Sequence, residues 1–369
     1  MAPSFLQALH QHRVRLQQPL LPRHLRHKTP RWAGRLSMGH ALAVGAGALV
    51  ALWIYLQLLV RHGTISPLAT AMYTTPFDGR RADDFPPAAW HPSFRVVVSL
   101  TTTPVRVGKV MHTITSLLQQ TLVPDQIYLH IPKGVMKRHP ERSYEDVALP
   151  AELADLAPMV HINRCVDDGP ATKLLGALRL EDDPSTLIIT VDDDFEYPPQ
   201  LVEALAWEAE HRPQDALGVC GWGIVPLPWH SVGAVPAYVP YFMRPTGRYV
   251  DILQACCGNA YRRGFFRNVE DLADIPPVCV TVDDVWIAGY LRTVENHRAA
   301  IVSKRLDPED PEWKHEEARS PVMSAMKLSE FNHANQVHFK CMQAIESRFR
   351  RRWVRNYEGD DDSGDAFLG

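Results

Sequence analysis

Leu187-Ile188-Ile189-Thr190-Val191-Asp192-Asp193-Asp194 runs from apolar and β-branched residues straight into three carboxylates. A short apolar run with a charged stop predicts a strand over Leu187–Val191, buried on both faces. Strands of that kind belong to sheets covered by helices on both sides, which bind ligands beyond the carboxyl ends of their strands. The three acids therefore fall where such a sheet meets its ligand.

Upstream, the same grammar repeats. Arg95-Val96-Val97-Val98-Ser99-Leu100 predicts a first strand, Ile127–Ile131 a second and Met159–Ile162 a third. Val110, Ile114, Leu117 and Leu118 carry a helical period through Val107–Gln120. Further helices are expected over Pro170–Leu180, where proline suits the first turn, and over Leu201–Glu210. Alternating strands and helices predict an α/β fold, a mostly parallel sheet with helices on both faces. Downstream, Leu217–Ile224 reads as a strand and Val225–Arg248 as a Pro-, Tyr- and Trp-rich connection. Val250–Arg263 leads into a short helix at Phe265–Leu272, and a strand at Val278–Val282 runs into a helix over Asp283–Val294. No internal repeat is present.

The N-terminus has a different character. Arg13, Arg15, Arg23, Arg26, Lys28, Arg31 and Arg35 occur within residues 1–36 with no Asp or Glu among them. Ala41–Val60 follows, with Gln57 as its one strongly polar side chain. About 20 such residues cover the roughly 30 Å hydrocarbon core of a bilayer. The basic flank keeps the N-terminus cytoplasmic and puts the rest across the membrane, a single-pass type II arrangement. A buried core helix and an Arg-rich organellar presequence are the competing readings; the length of the uncharged run argues against both. The expected organisation is a basic tail over 1–36, a membrane helix over 37–60, a stem over 61–93, a catalytic domain over 94–345 and a charged, disordered tail over 346–369. The formal charge of −3 across 369 residues gives no pull toward nucleic acid. The six cysteines all follow the apolar segment and allow up to three disulfides of open connectivity. None has zinc-site spacing, so structural zinc is not expected. Sequons for N-glycosylation are absent.

Three acidic corners carry the chemistry. Asp192 and Asp194, two apart on an extended chain, should point the same way, with Asp193 facing away. Carboxylates there suit a hard divalent cation that keeps positions open for phosphate. Asp360-Asp361-Asp362 repeats the letters with no strand before it and reads as tail. Asp167-Asp168-Gly169-Pro170-Ala171-Thr172-Lys173 precedes a helix, so Asp168 either caps that helix or, with Lys173, receives a phosphate or ribose. In Asp283-Asp284-Val285-Trp286 one acid could cap a helix while the other, Asp284 ahead of Asp283, acts as a general base.

The order Val98-Ser99-Leu100-Thr101-Thr102-Thr103-Pro104-x-Arg106, Asp168-Gly-Pro-Ala-Thr-Lys173, Thr190-Val-Asp-Asp-Asp194, Gly258-Asn-Ala-Tyr261 and Asp283-Asp284-x-Trp286 resembles GT-A glycosyltransferases, chiefly the family-2-like enzymes and more loosely the exostosin-like transferase domain. The resemblance covers about residues 94–305. It implies a Rossmann-like fold and a nucleotide-diphosphate sugar donor bound with Mn2+ or Mg2+. Thr101 and Arg106 would lie near the base, and Asp168 and Lys173 near the nucleoside or phosphates. Asp192 and Asp193 would lie with the nucleotide, and Asp192 and Asp194 on the metal. Gly258–Tyr261 would flank the acceptor, a glycan or glycoprotein hydroxyl, and Asp284 would be the catalytic carboxylate. His315, His333 and His338 are equal candidates for a third metal ligand. Trp222, Trp229, Tyr238, Tyr241 and Phe242 could stack on an acceptor ring. The implied address is a Golgi or other secretory membrane. The alternatives are a carbohydrate-binding or scaffold protein of the same fold and a haloacid-dehalogenase-like phosphohydrolase. In the latter, Asp-x-Asp follows the first strand of the core, whereas here about three strand–helix units come before it.

Overall fold

Val96–Thr101 forms β1, an inner strand of an eight-stranded sheet. The computed structural model describes Gly47, Pro86, residues 90–222 except 138 and 146, and residues 248–302, 314–315, 331–332 and 335–351. The basic tail, the apolar segment and nearly all of the proposed stem lie outside them. So do His333, Trp229, Tyr238, Tyr241, Phe242 and the second acidic string. Among the described residues no helix is long and apolar enough to cross a membrane.

From β1 the chain enters α1 (Val110–Leu118), then β2 (Gln126–Pro132), the small hairpin β3 (Val135–Met136) and β4 (His139–Ser143), and β5 (Val160–Cys165). It continues through α2 (Thr172–Leu178), β6 (Leu187–Thr190), β7 (Phe195–Glu196), α3 (Leu201–His211), β8 (Asp215–Gly218) and β9 (Gly221–Trp222). Past residues 223–247 come β10 (Arg248–Val250), β11 (Ile252–Leu253), β12 (Asn259–Arg262), α4 (Val269–Ala273), α5 (Asp283–Tyr290) and β13 (Arg298–Ile301). β14 (Lys314–His315) and α6 (Val337–Phe349) complete the elements.

The sheet order is β10-β13-β8-β12-β6-β1-β2-β5. β1, β2, β5 and β6 pair in parallel, as does β13 with β8, while β12 runs antiparallel between β6 and β8 and β10 antiparallel to β13. After β1 the chain moves outward through β2 to β5, then crosses back to place β6 on the other side of β1. That reversal is a topological switch point, and the carboxyl ends of β1 and β6 face its crevice.

Side-chain alternation explains the layers. Val96, Val98 and Leu100 of β1, with Leu187 and Ile189 of β6, join a core with Val110, Ile114 and Leu117 of α1 and Leu201 and Leu205 of α3. Val97 and Ile188 face the opposite core, with Leu174 and Leu178 of α2, Trp286 and Tyr290 of α5 and Ile345 of α6. Both faces are covered, as the sequence predicts.

Several expected elements differ: the helix expected over Phe265–Leu272 begins only at Val269, and the strand expected over Leu217–Ile224 is split between β8 and β9. Val278–Val282 is not a strand: Pro277 opens a 3-10 turn over Pro277–Cys279, the Cys279 N–H donates to the Pro276 carbonyl and the Val282 N–H to the Cys279 carbonyl, and Cys279 is disulfide-bonded to Cys341 of α6.

Candidate active site at the sheet switch point

The chain leaves β1 at Thr101, whose hydroxyl donates to the His130 carbonyl at 3.0 Å. It then turns, with the Arg106 N–H donating to the Thr103 carbonyl at 2.9 Å. This turn swings Arg106 over the end of β6. Its Nη1 lies 3.0 Å from Asp193 Oδ1 and 3.0 Å from Asp194 Oδ2. The Thr102 hydroxyl, which sequence reasoning passed over, donates to Asp193 Oδ2 at 2.5 Å.

Strict alternation fails in the acidic string. β6 ends at Thr190, and Asp193 and Asp194 occupy a turn before β7. Asp192 consequently goes one way, its Oδ1 accepting from Lys173 Nζ at 2.6 Å, while Asp193 and Asp194 share Arg106. Asp193 does not turn away from the site: it is buried inside it. Tyr197 fixes the start of the turn, its hydroxyl oxygen accepting from the Asp192 N–H at 2.8 Å and its O–H donating to the Cys256 carbonyl at 2.8 Å.

Lys173 joins two of the three corners. Buried in α2, its ammonium also lies 3.5 Å from Asp283 Oδ2, an atom that is buried and has no hydrogen-bond partner. Below Lys173, the Ser99 hydroxyl donates to the Lys173 carbonyl. His130 Nε2 lies 2.9 Å from Ser99 Oγ, and Asn163 Nδ2 lies 3.0 Å from His130 Nδ1. Burial, with the charges of His161 and Arg179, holds the His130 pKa down at about 3. That ring is therefore a neutral support for α2.

Asp283 and Asp284 are the first two residues of α5, and neither side chain caps it. Their charge in the first turn still opposes the positive end of the helix dipole favourably. Asp284 Oδ1 accepts from the Val285 N–H at 2.9 Å.

Five carboxylates (Asp192, Asp193, Asp194, Asp283 and Asp284) here face two cations. Burial works against the charge of Lys173, yet Asp192 and Asp283 outweigh it and hold its pKa above the ordinary lysine value. Arg106 is likewise kept charged against burial by Asp193 and Asp194. The acids are under strain: burial, opposed by Lys173 and reinforced by Asp194, lifts Asp192 to about 6. Burial raises Asp193 against Arg106. Burial and Asp283 push Asp284 to about 7. A surplus of desolvated carboxylates is the condition that a divalent cation relieves.

Other expected residues fall elsewhere. Asp168 neither caps a helix nor stands open to a ligand, because Arg179 Nη1 sits 2.5 Å from its Oδ2. Asn259, Ala260 and Tyr261 are buried in β12, with Tyr261 packed on Phe266. His338 is buried in α6. His315 has its backbone beside the acidic turn: β14 pairs antiparallel with β7 and sets His315 opposite Phe195, the residue after Asp194.

No protein-family model matches this chain, and no curated protein matches it. Among solved structures, 4-diphosphocytidyl-2C-methyl-D-erythritol synthase is similar at 12% identity and a TM-score of 0.34, over 59% of this chain and 96% of the other. TarS of S. aureus is similar at 12% identity and a TM-score of 0.34, over 57% of this chain. The chain spans about a third of TarS, 35% of its length. At these values neither likeness assigns an activity.

Proposed function

We propose that this chain is a metal-dependent glycosyltransferase, moving a sugar from a nucleotide-diphosphate sugar to a hydroxyl of a glycan or glycoprotein. The observation that carries this reading is the convergence of Asp192–Asp194, Lys173, Arg106 and Asp283–Asp284 on one switch-point crevice. The donor set fits Mn2+ or Mg2+, since its acids are hard oxygens in excess over the cations. Asp192 and Asp194 would hold the ion. Such an ion supplies Lewis-acid neutralisation of the diphosphate charge.

The roles of the chain's own residues follow from their surroundings. Lys173 and Arg106 set the orientation of the acidic turn. Asp283 is held toward Lys173, whereas Asp284, with its pKa near 7, is matched to accept a proton at neutral pH. Asp284 takes the proton of the acceptor hydroxyl as its oxygen attacks the anomeric carbon. The bond from that carbon to the diphosphate oxygen breaks with its electron pair on the leaving group. A type II anchor over 37–60 in a secretory membrane belongs to the same reading, on the basic flank and uncharged run of the sequence.

The test is a panel of nucleotide sugars given to the full chain in detergent with Mn2+, with and without glycan acceptors. Release of nucleotide diphosphate from at least one donor is expected, and its loss in Asp192→Ala and Asp194→Ala. Silence across the panel would sink the reading, and full activity in both variants would refute the metal assignment.

A further inference from the structure

Cys220, Cys256 and Cys257 bring their three sulfurs within 4.8 Å of one another, although Cys257 lies 37 positions after Cys220. Cys220 and Cys257 are disulfide-bonded across Cα atoms 6.3 Å apart, and Cys256 is a half-buried free thiol. Its sulfur lies 3.3 Å from that of Cys257. Sequence spacing gave no hint of this grouping.

We propose that Cys256 exchanges with Cys257 as the disulfide partner of Cys220, so that the protein exists as two disulfide isomers. Burial and the nearby Asp192 hold the Cys256 thiol above the ordinary cysteine range, so the reacting form is the minor thiolate that alkaline pH supplies. Its sulfur, now beside that of Cys257, swings into line with the Cys257–Cys220 bond; the thiolate then attacks Cys220 Sγ and a Cys256–Cys220 bond forms. The Cys220–Cys257 bond breaks, its electron pair leaves on Cys257 sulfur, and that sulfur takes up the proton Cys256 gave up. One thiol and one disulfide stand on each side, so no oxidant or reductant is needed. The nearer sulfur, that of Cys257, is not the productive partner once the Cys220 bond exists. A Cys256–Cys257 bond would span consecutive Cα atoms about 3.8 Å apart, below the roughly 4.4–6.8 Å at which disulfides close without strain.

The exchange reaches the acidic turn through one hydrogen-bond chain. The Cys256 carbonyl accepts from the Tyr197 hydroxyl, which in turn accepts the Asp192 N–H. Drawing Cys256 toward Cys220 moves the carbonyl that anchors Tyr197. The exchange itself does not depend on the catalytic reading above.

The experiment uses the full chain, held at pH 8.5 for increasing times, then quenched in acid denaturant and alkylated with N-ethylmaleimide. Peptides are mapped without reduction, with fragmentation between residues 256 and 257. Cys165, free in either isomer, gives the reference of one label per chain. The expected result is label divided between Cys256 and Cys257, with the Cys257 share growing to a plateau and absent in Cys256→Ser. In Cys257→Ser, Cys220 should be protected from alkylation by a bond to Cys256. Label confined to Cys256 in the wild-type chain at all times would overturn the proposal, and so would a fully alkylated Cys220 in a folded Cys257→Ser protein.

Discussion

At the scale of single residues, the site holds more negative charge than its fold would choose for stability. Asp284 shows the conflict most plainly. Its pKa stands near 7 in the folded chain, raised by burial and Asp283, against about 3.9 when unfolded. Between those values the folded state binds more protons, so stability falls as pH rises through that window. Asp284→Asn removes the penalty. The variant should be more stable than wild type at pH 8 by about 1–2 kcal/mol, less than the full shift implies because the carboxylate is partly exposed. The two proteins should converge near pH 4, as urea midpoints at both pH values would reveal. The same substitution should abolish donor turnover, and wild-type turnover should fall as pH drops through about 7. Arg106 makes the complementary case. Arg106→Met strands Asp193 and Asp194 without their cation and should cost about 3 kcal/mol, the low end for a buried pair since the guanidinium is partly exposed. Asp193→Asn in the same chain should recover more than about 1 kcal/mol. An additive double-mutant cycle would contradict the shared ion pair.

Elements differ in how far their sequence announces them. β1, β2 and β6 sit buried between two helical layers, so they are apolar runs and could be read directly. β12 could not: Asn259-Ala260-Tyr261-Arg262 has no clear apolar period, and it is a strand because β6 and β8 flank it. In α6 the signal was present and missed, since Val337, Cys341 and Ile345 recur every four residues among polar neighbours. The acids at 192–194 and 283–284 were legible because they end or begin elements. Their partition between Lys173 and Arg106 was not, because a turn breaks the alternation after Thr190. Packing of α6 on α5 gives two tests at this scale. A Cβ at Gly289 would stand 2.6 Å from Ile345 Cδ1 and 2.9 Å from its Cγ2, and Ile345 is fully buried. Gly289→Ala, a helix-favouring change elsewhere, should therefore destabilise by about 1–3 kcal/mol. Cys341→Ser opens the link across 62 residues to Cys279 and should cost about 2–4 kcal/mol in denaturant melts. Because Cys279 lies four residues before Asp283, turnover should fall further than the loss of folded protein explains.

For the whole molecule, the two disulfides bear on where the chain operates. In sequence Cys220–Cys257 lies between the acids at 192–194 and those at 283–284, and Cys279–Cys341 brackets the second pair; such bonds persist in oxidising compartments. Residues 1–60 supply an independent line, a basic stretch without acids followed by an uncharged apolar run. The proposed topology puts the basic end in the cytoplasm and the crevice in a lumen. The prediction concerns the full chain in sealed microsomes, tagged at each end. Protease added outside should remove the N-terminal tag and leave a protected fragment that carries the C-terminal tag, and detergent should abolish the protection. Carbonate washing at alkaline pH should leave the chain with the membranes, whereas a chain lacking residues 1–60 should be released. A protected N-terminal tag would reverse the orientation. It would place the crevice in a reducing compartment, where neither disulfide would be maintained and a lumenal glycan could not be the acceptor.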